Sequence, residues 1–245
     1  MSGTALGTHV LVALLGATYI IALRFALISE SLWWRRLALV HLLTMIFVGG
    51  ELAARGYLRD AVSTPPPLVY YIVPLTAFTA FVAFSRIGTR LFSKTPLWAL
   101  VGFQSFRIGV EALLWALHRD GQVPRQMTFE GWNFDILTGI AAVPLTFLLR
   151  AEKVPVKLIW VFNIVGSLLL VTIVTISVLS TPQLDVFAAH PPNEVIMTYP
   201  YVWIPSVFVQ FAFLGHLLVF RRLVFLRKNS LSIQSEAIVA DRTSA

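Results

Sequence analysis

Five residues that could do chemistry recur at helical spacing inside an otherwise apolar stretch. They are Gln104, Arg107, Glu111, Trp115 and His118, separated by three, four, four and three positions. At 3.6 residues per turn, this spacing puts all five on one face of a helix. Arg107 and Glu111 are one turn apart and can pair directly. A guanidinium beside a carboxylate in such a stretch could bind an ionic solute, exchange a proton or hold helices together.

A second polar stripe lies in another apolar run and contains His41, Thr44, Val48, Glu51 and Arg55. Glu51 follows Gly49 and Gly50, and paired glycines allow another helix to approach closely. The predicted depth of Glu51 is about that of Glu111. Because Glu51 also lies near the end of its run, a side chain that snorkels to the interface is an alternative interpretation.

A third set of polar residues follows the Arg107 stripe, in the segment RQMTFEGWNFD from Arg125 to Asp135. Glu130, Asn133 and Asp135 lie at the predicted start of the next apolar run, where Asn133 or Asp135 could cap the helix. We therefore expect acidic groups from three helices to converge around Arg107. The same residues also fit an ordinary polar loop.

The predicted binding site follows from the cost of burying charge. An ionised side chain near the centre of a bilayer costs at least about 2.5–3.5 kcal/mol, so Arg107 should face protein or water instead of lipid. The predicted substrate-binding residues are Arg107, Glu111, Gln104, Glu51 and Asp135. The competing interpretation is a purely structural Arg–Glu lock between helices.

The composition predicts that membrane helices carry these residues. Of the 245 residues, 57% are hydrophobic and 13% are charged, and the mean hydropathy is +0.78. A soluble domain of this size usually has nearly twice that share of charge. Long apolar runs between charged segments favour α-helices, which satisfy their own backbone hydrogen bonds in lipid. The net charge of +7 lies in short loops, so it indicates orientation in a bilayer and not nucleic-acid binding.

Seven apolar runs predict an all-α fold, a bundle of seven transmembrane helices. The runs cover approximately residues 8–28, 35–54, 68–88, 97–118, 133–150, 155–180 and 200–222. Residues 1–226 would form this transmembrane domain. The polar residues 227–245 are expected to form a disordered cytoplasmic tail.

The basic residues predict the orientation of the bundle. One set of connecting segments includes Arg35, Arg36, Arg86, Arg90, Lys94, Arg150, Lys153, Lys157, Arg221 and Arg222. The opposite set includes only Arg55, Arg59, Arg119 and Arg125. The richer side should be cytoplasmic. This places the N-terminus outside and the C-terminus in the cytoplasm, which requires an odd number of spans.

Several kinds of chemistry are excluded or disfavoured. The chain has no cysteine, which excludes disulfides, thiolate metal sites and cysteine catalysis. His41 and His216 lie at similar predicted depth, but a zinc hydrolase site would need a third histidine there. The last run has no lysine for a retinal Schiff base, and phosphate-loop and nucleophile-elbow motifs are missing. We expect no catalytic residue, no metal and no cofactor.

The segment RQMTFEGWNFDILTGI resembles a family of uncharacterised bacterial multi-pass integral membrane proteins. Those proteins carry a comparable M-T-F-E-G-x-N-F-D stretch after an arginine-containing span, and the resemblance covers about residues 104–140. It implies a membrane protein and no particular activity. It therefore assigns no role to any residue.

Three functions fit these features. The leading hypothesis is a small transporter-like protein of the cell (inner) membrane, in which Arg107 binds an anionic group and Glu111 or Glu51 exchanges a proton. Its expected partners are the lipid bilayer, a small anionic solute or a proton, and another copy of the chain. The alternatives are a non-catalytic membrane subunit or sensor, and a lipid-modifying enzyme that uses His41 and His216.

Overall fold

A computed structural model of the chain describes residues 11, 13, 15–17, 32–60, 63, 65–188 and 191–243. The side chains of Trp34, Arg35 and all residues after Arg227 are not described. The described residues form helices joined by turns, with no strand among them, which confirms the all-helical prediction for this part of the chain. The first predicted span, residues 8–28, lies almost entirely outside the described residues.

The helices follow one another with short connections. They are α1 (Leu32–Leu43), α2 (Gly49–Ala54), α3 (Pro67–Phe84), α4 (Arg86–Lys94), α5 (Leu97–Phe103), α6 (Arg107–Arg119), α7 (Ile136–Arg150), α8 (Val156–Leu179) and α9 (Val209–Thr243). Prolines mark three of the starts. Pro67 is the first residue of α3, and Pro96 and Pro155 directly precede α5 and α8. A proline at a helix start loses no hydrogen bond, because the first N–H groups lack helical partners.

Three helix-like segments adjoin these helices, of which two join consecutive helices and one precedes α9. The π-helical segment Thr44–Val48 joins α1 to α2, and a second π-helical segment, Ile204–Phe208, precedes α9. A 3₁₀ turn, Gln104–Phe106, joins α5 to α6. Such irregular turns inside a long helix often accompany functional sites.

Five helical stretches are long and apolar enough to cross a membrane. They are Arg36–Ala54, Pro67–Phe84, Leu97–Arg119, Val156–Leu179 and Ile204–Arg227. Each corresponds to one predicted span. The predicted span 133–150 corresponds to α7, which has only 15 residues, fewer than the roughly 20 that a straight crossing needs. The total of seven spans and the outside N-terminus remain predictions.

Helix α9 continues from Val209 to Thr243. The backbone of the expected disordered tail, residues 227–245, is therefore helical as far as Thr243. The candidate span within this helix ends at Arg227. The predicted division between a domain and a tail is thus not marked by a break in the helix.

Helix α9 packs against α3, α4, α5 and α8, while α7 packs against α5, α6 and α8. Two clusters of buried apolar side chains lie between these helices. One contains Leu100, Leu145 and Leu218, and the other contains Leu113, Ile173 and Phe208. Along the chain, Gln104, Arg107 and His216 lie between residues of one cluster and residues of the other.

Candidate functional site

Arg107 lies at the first residue of α6, in the middle of a candidate span, and is only 2% exposed. Its Nε donates to Oδ2 of Asp135 at 2.7 Å, and its Nη2 donates to Oδ1 of the same carboxylate. Such a two-point contact between a guanidinium and a carboxylate is both strong and geometrically specific. The acidic partner expected for Arg107 is therefore Asp135, next to the start of α7.

Glu111 is buried beside this pair but does not provide the ion pair that the spacing predicted. Among the described residues, the ion pair of Arg107 is with Asp135. Oε2 of Glu111 instead accepts a hydrogen bond from Nδ2 of Asn133 at 2.5 Å. The guanidinium turns towards α7, where one carboxylate takes two of its donors. The hydrogen-bond partner of Glu111 is consequently a neutral amide.

Asn133 fixes the start of α7 and orients both carboxyl groups. Its Nδ2 also donates to the Met127 carbonyl at 3.0 Å, and its Oδ1 accepts from the Asp135 backbone N–H at 3.0 Å. Asp135 occupies the cap position of α7, but its side chain makes no capping hydrogen bond. Asn133 thus engages the backbone at the helix start and leaves the Asp135 carboxylate available to Arg107.

The segment between α6 and α7 folds back into the bundle, which explains why α7 is short. Val123, Thr128 and Asn133 in this segment are fully buried. Irregular backbone is tolerated at membrane depth only where protein covers it. At 1.5 Å per residue, the 15 residues of α7 span about 22 Å, so this helix begins inside the bundle. The fold-back therefore brings Asp135 to the level of the polar residues on α6.

His216 on α9 completes the shell around Arg107. Nη1 of Arg107 lies 2.8 Å from Nε2 of His216, and Nδ1 of His216 lies 2.8 Å from Oδ1 of Asn163. A guanidinium can only donate, so Nε2 accepts and Nδ1 carries the proton that goes to Asn163. Gly166 makes room for the ring, since a Cβ there would lie 2.7 Å from Cε1 of His216.

Sequence reasoning missed the contact between His216 and Arg107 because it ended the last span too early. The candidate span continues to Arg227, so His216 lies eleven residues before its end. Arg107 lies ten residues after Leu97, the start of its own span. The signal available in the sequence was that His216 and Arg107 lie at nearly equal depth, counted from the same side of the predicted bundle. His41, the predicted companion of His216, instead lies 3.1 Å from Oγ1 of Thr79, so the two histidines do not share a site.

Gln104 and Glu51, the remaining predicted site residues, lie outside the direct contacts of Arg107. Gln104 is buried one turn before Arg107 and donates to the Ala212 carbonyl at 3.2 Å. The structure does not bring Glu51 to the cluster, because its side chain is 60% exposed and accepts from Nε of Arg55 at 2.5 Å. This contact with the next turn raises the pKa of Arg55.

Beside the charged residues lies a small cavity of about 40 Å³. Arg107, Glu111 and Asp135 line it together with apolar side chains from the surrounding helices. A water molecule needs at least about 10–15 Å³ of such space and several polar partners. The cavity therefore has room for water next to both carboxyl groups.

No curated protein and no solved structure matches the chain. The family DUF8737, described as a domain of unknown function, matches residues 64–224, which is more than half of the chain. The matched region contains Arg107, Glu111, Asp135 and His216. The match agrees with the expected resemblance to an uncharacterised family, while the bacterial source and the shared M-T-F-E-G-x-N-F-D stretch remain predictions. The chain belongs to the DUF8737 family of domains of unknown function.

Proposed function

We propose that the protein is a multi-pass transporter-like protein in which Glu111 exchanges a proton while the Arg107–Asp135 pair holds the site together. The observation that carries this proposal is the cavity that three ionisable side chains share within a bundle of candidate spans. Ionisable groups at membrane depth typically mark ion or proton pathways. A cell-membrane location, seven spans and an outside N-terminus belong to the same proposal.

The charges in the cavity support proton exchange at Glu111. One guanidinium faces two carboxyl groups, and Asp135 takes two of its donors. The cluster has a formal charge of −1 when both carboxyl groups are ionised and is neutral when Glu111 carries a proton. A single proton therefore changes the net charge of a buried site. Coupling a proton to a solute requires a group of this kind.

The contacts of Arg107 support a holding role for it within this function. Its Nε, Nη1 and Nη2 already contact Asp135 and His216. An anionic solute would have to compete with Asp135 and His216 for the guanidinium. A solute that exchanges with the proton on Glu111 leaves these contacts intact.

The second candidate function is a non-catalytic membrane subunit or sensor in which the cluster is structural. The observation that favours it is the burial of Arg107, whose three nitrogens all have partners. In that case the cluster fixes the packing of α6, α7 and α9, and no proton moves. The two functions therefore differ in whether Glu111 titrates.

Infrared spectroscopy of the purified protein tests this difference directly. We expect a carboxyl band that changes as the pH is stepped and that is missing in Glu111→Gln. Glutamine keeps an oxygen that can accept from Asn133, so this variant should fold. Arg55→Ala, which removes an exposed ion pair, should keep the band.

A flux measurement extends the test to solutes. Proteoliposomes that contain a trapped pH dye receive a proton gradient and then a panel of small carboxylates, phosphate and ammonium ions. The transporter function predicts that at least one solute collapses the gradient faster with the wild type than with Glu111→Gln. If the wild type shows no titrating carboxyl band and no solute changes the decay of its proton gradient, the cluster is structural and the second candidate function holds.

A further inference from the structure

A large apolar groove lies between α3 and α8 and is lined at its base by the start of α9. Its volume is about 550 Å³, within the range of roughly 300–1,000 Å³ that is usual for small-molecule sites. Val73 of α3 and Val178 of α8 line it and are 59% and 41% exposed. The groove therefore opens on the flank of two candidate spans, where lipid chains would surround the protein.

The described residues that line the groove offer its occupant almost no free hydrogen-bonding group. Oγ1 of Thr76 donates to the Ile72 carbonyl and accepts from Nε2 of Gln210, both at 2.9 Å. Oγ of Ser177 accepts from Nδ2 of Asn193 at 2.9 Å. Because these hydroxyl groups bond within the protein and the other lining residues are apolar, burial of a polar occupant here would cost free energy. The body of the occupant must be apolar.

The groove adjoins the cavity of the charged cluster. Leu114, Ile173, Ile204 and Val209 line both spaces. Residues of α6, α8, the segment Ile204–Phe208 and α9 thus form the common wall. Ile204 belongs to a π-helical segment, a feature that recurs at functional sites. An apolar body in the groove can place an attached charge next to Glu111.

We infer that the groove admits a lipophilic monovalent cation from the bilayer, and that this cation pairs with Glu111 after the carboxyl group has released its proton. The inference rests on the proposed function and names its substrate class. The exchange is balanced, since one proton leaves for water as one positive charge arrives. The net charge of the occupied site stays the same as that of the protonated site.

The charges that face Glu111 favour a cation over an anion. Arg107 and Asp135 neutralise each other, and His216 accepts from Arg107 as a neutral ring. Helix α8 contributes only the apolar Leu170 and Ile173 to this cavity. Among the described residues that line the cavity, the carboxylate of Glu111 is therefore the uncompensated charge. An anion would be repelled there, whereas a cation would restore neutrality.

Tetraphenylphosphonium is a suitable probe because it has no N–H or O–H group and depends on charge and apolar area alone. Its binding to the full-length protein in detergent is measured by calorimetry in buffers of different ionisation enthalpy, which also counts protons. We expect binding that releases about one proton per cation and strengthens as the pH rises. Glu111→Gln should bind at least about tenfold more weakly and release no proton.

A matched pair of tryptophan variants tests the groove itself. Ala77→Trp, on the α3 wall, should weaken binding by about tenfold or more because the ring occupies the groove. Leu168→Trp, on an exposed position of α8 outside the groove, should bind like the wild type. Both variants should retain the titrating carboxyl of Glu111.

The outcomes separate this inference from the function on which it rests. No binding to the wild type, equal binding by Ala77→Trp, or equal binding by Glu111→Gln would each overturn the inference. If a small solute still exchanges with protons through Glu111, the proposed function survives that result. If the wild-type spectrum shows no titrating carboxyl band, both the inference and the proposed function are wrong.

Discussion

Two arginines within candidate spans, Arg107 and Arg221, find their partners in opposite ways. Arg107 is buried and binds the carboxylate of Asp135 and the ring of His216. Arg221, six residues before the end of its candidate span, is partly exposed, and its Nη1 donates to the Ala83 carbonyl.

The surroundings of Arg221 are entirely neutral in the described contacts. Nη2 donates to Oγ1 of Thr89 at 2.8 Å, and the guanidinium lies 4.8 Å from the centre of the Phe92 ring. Ala83 is in the last turn of α3, where carbonyl groups lack helical partners and carry partial negative charge. A helix end and an aromatic face therefore suffice to stabilise an arginine whose side chain remains partly accessible to solvent.

The comparison shows what burial demands of a charged group. Neutral partners stabilise an arginine near the end of a span, whereas a fully buried arginine needs a counter-charge. The cavity beside the buried pair also contains Glu111, and a carboxyl group can exchange a proton near neutral pH when its surroundings allow it, which a carbonyl group cannot. The charged cluster can therefore take part in function, while the Arg221 contacts connect α9 to α3 and α4.

Removal of Asp135 should produce the largest effect. Asp135→Ala leaves the guanidinium of Arg107 buried without a counter-charge, which costs about 3–5 kcal/mol. The double variant Arg107→Met/Asp135→Leu removes both charges and should recover most of that loss. Leucine is tolerable at this position because the Asp135 side chain makes no capping bond. Unfolding midpoints in detergent measure the difference.

The exposed pair Glu51–Arg55 provides the control for this prediction. Arg55→Ala removes an ion pair on the surface, and its unfolding midpoint should stay close to that of the wild type. A midpoint for Asp135→Ala that equals that of Arg55→Ala would show that the buried pair needs no counter-charge. The distinction drawn between the two arginines would then be lost.

Substitution of His216 should have an intermediate effect. His216→Phe keeps the ring volume but removes the acceptor for Nη1 of Arg107 and the partner of Asn163. Leaving such groups unpaired costs about 1–3 kcal/mol each. His41→Phe, which removes one contact with Thr79, is the matched control and should cost less. Equal losses in the two variants would contradict a special role for His216.

The inward face of α6 was predictable because it depends on local periodicity. Gln104, Arg107 and Glu111 share a stripe in the sequence, and all three are buried in the structure, although Trp115 of the same stripe is 36% exposed. Five of the predicted spans likewise follow from long apolar runs. Asp135 was a candidate because it follows the same stripe in the chain. Which carboxylate would bind Arg107 depends on the fold-back before α7, which hydropathy does not encode.

The wrong predictions arose where the depth of a residue in its span was considered without the direction in which its side chain points. Glu51 has about the depth of Glu111, but its helix turns the side chain outwards towards Arg55. His216 was compared with His41 because the last span was ended near Arg222, although the apolar helix continues to Arg227. Contacts between distant helices depend on rotation and on exact span ends. Neither property follows from the number of apolar residues.

Arg221→Lys should produce the smallest effect and sharpen the comparison most. Lysine keeps the charge but loses the planar fork that reaches Ala83 and Thr89 and the stacking on Phe92. We expect a loss of about 1 kcal/mol, because water replaces part of these contacts at a partly exposed position. The infrared titration of Glu111 should be unchanged, since carbonyl, hydroxyl and aromatic partners exchange no proton in this range. If Arg221→Lys altered that titration, the two arginines would belong to one coupled system, and the charged cluster would extend to the end of α3.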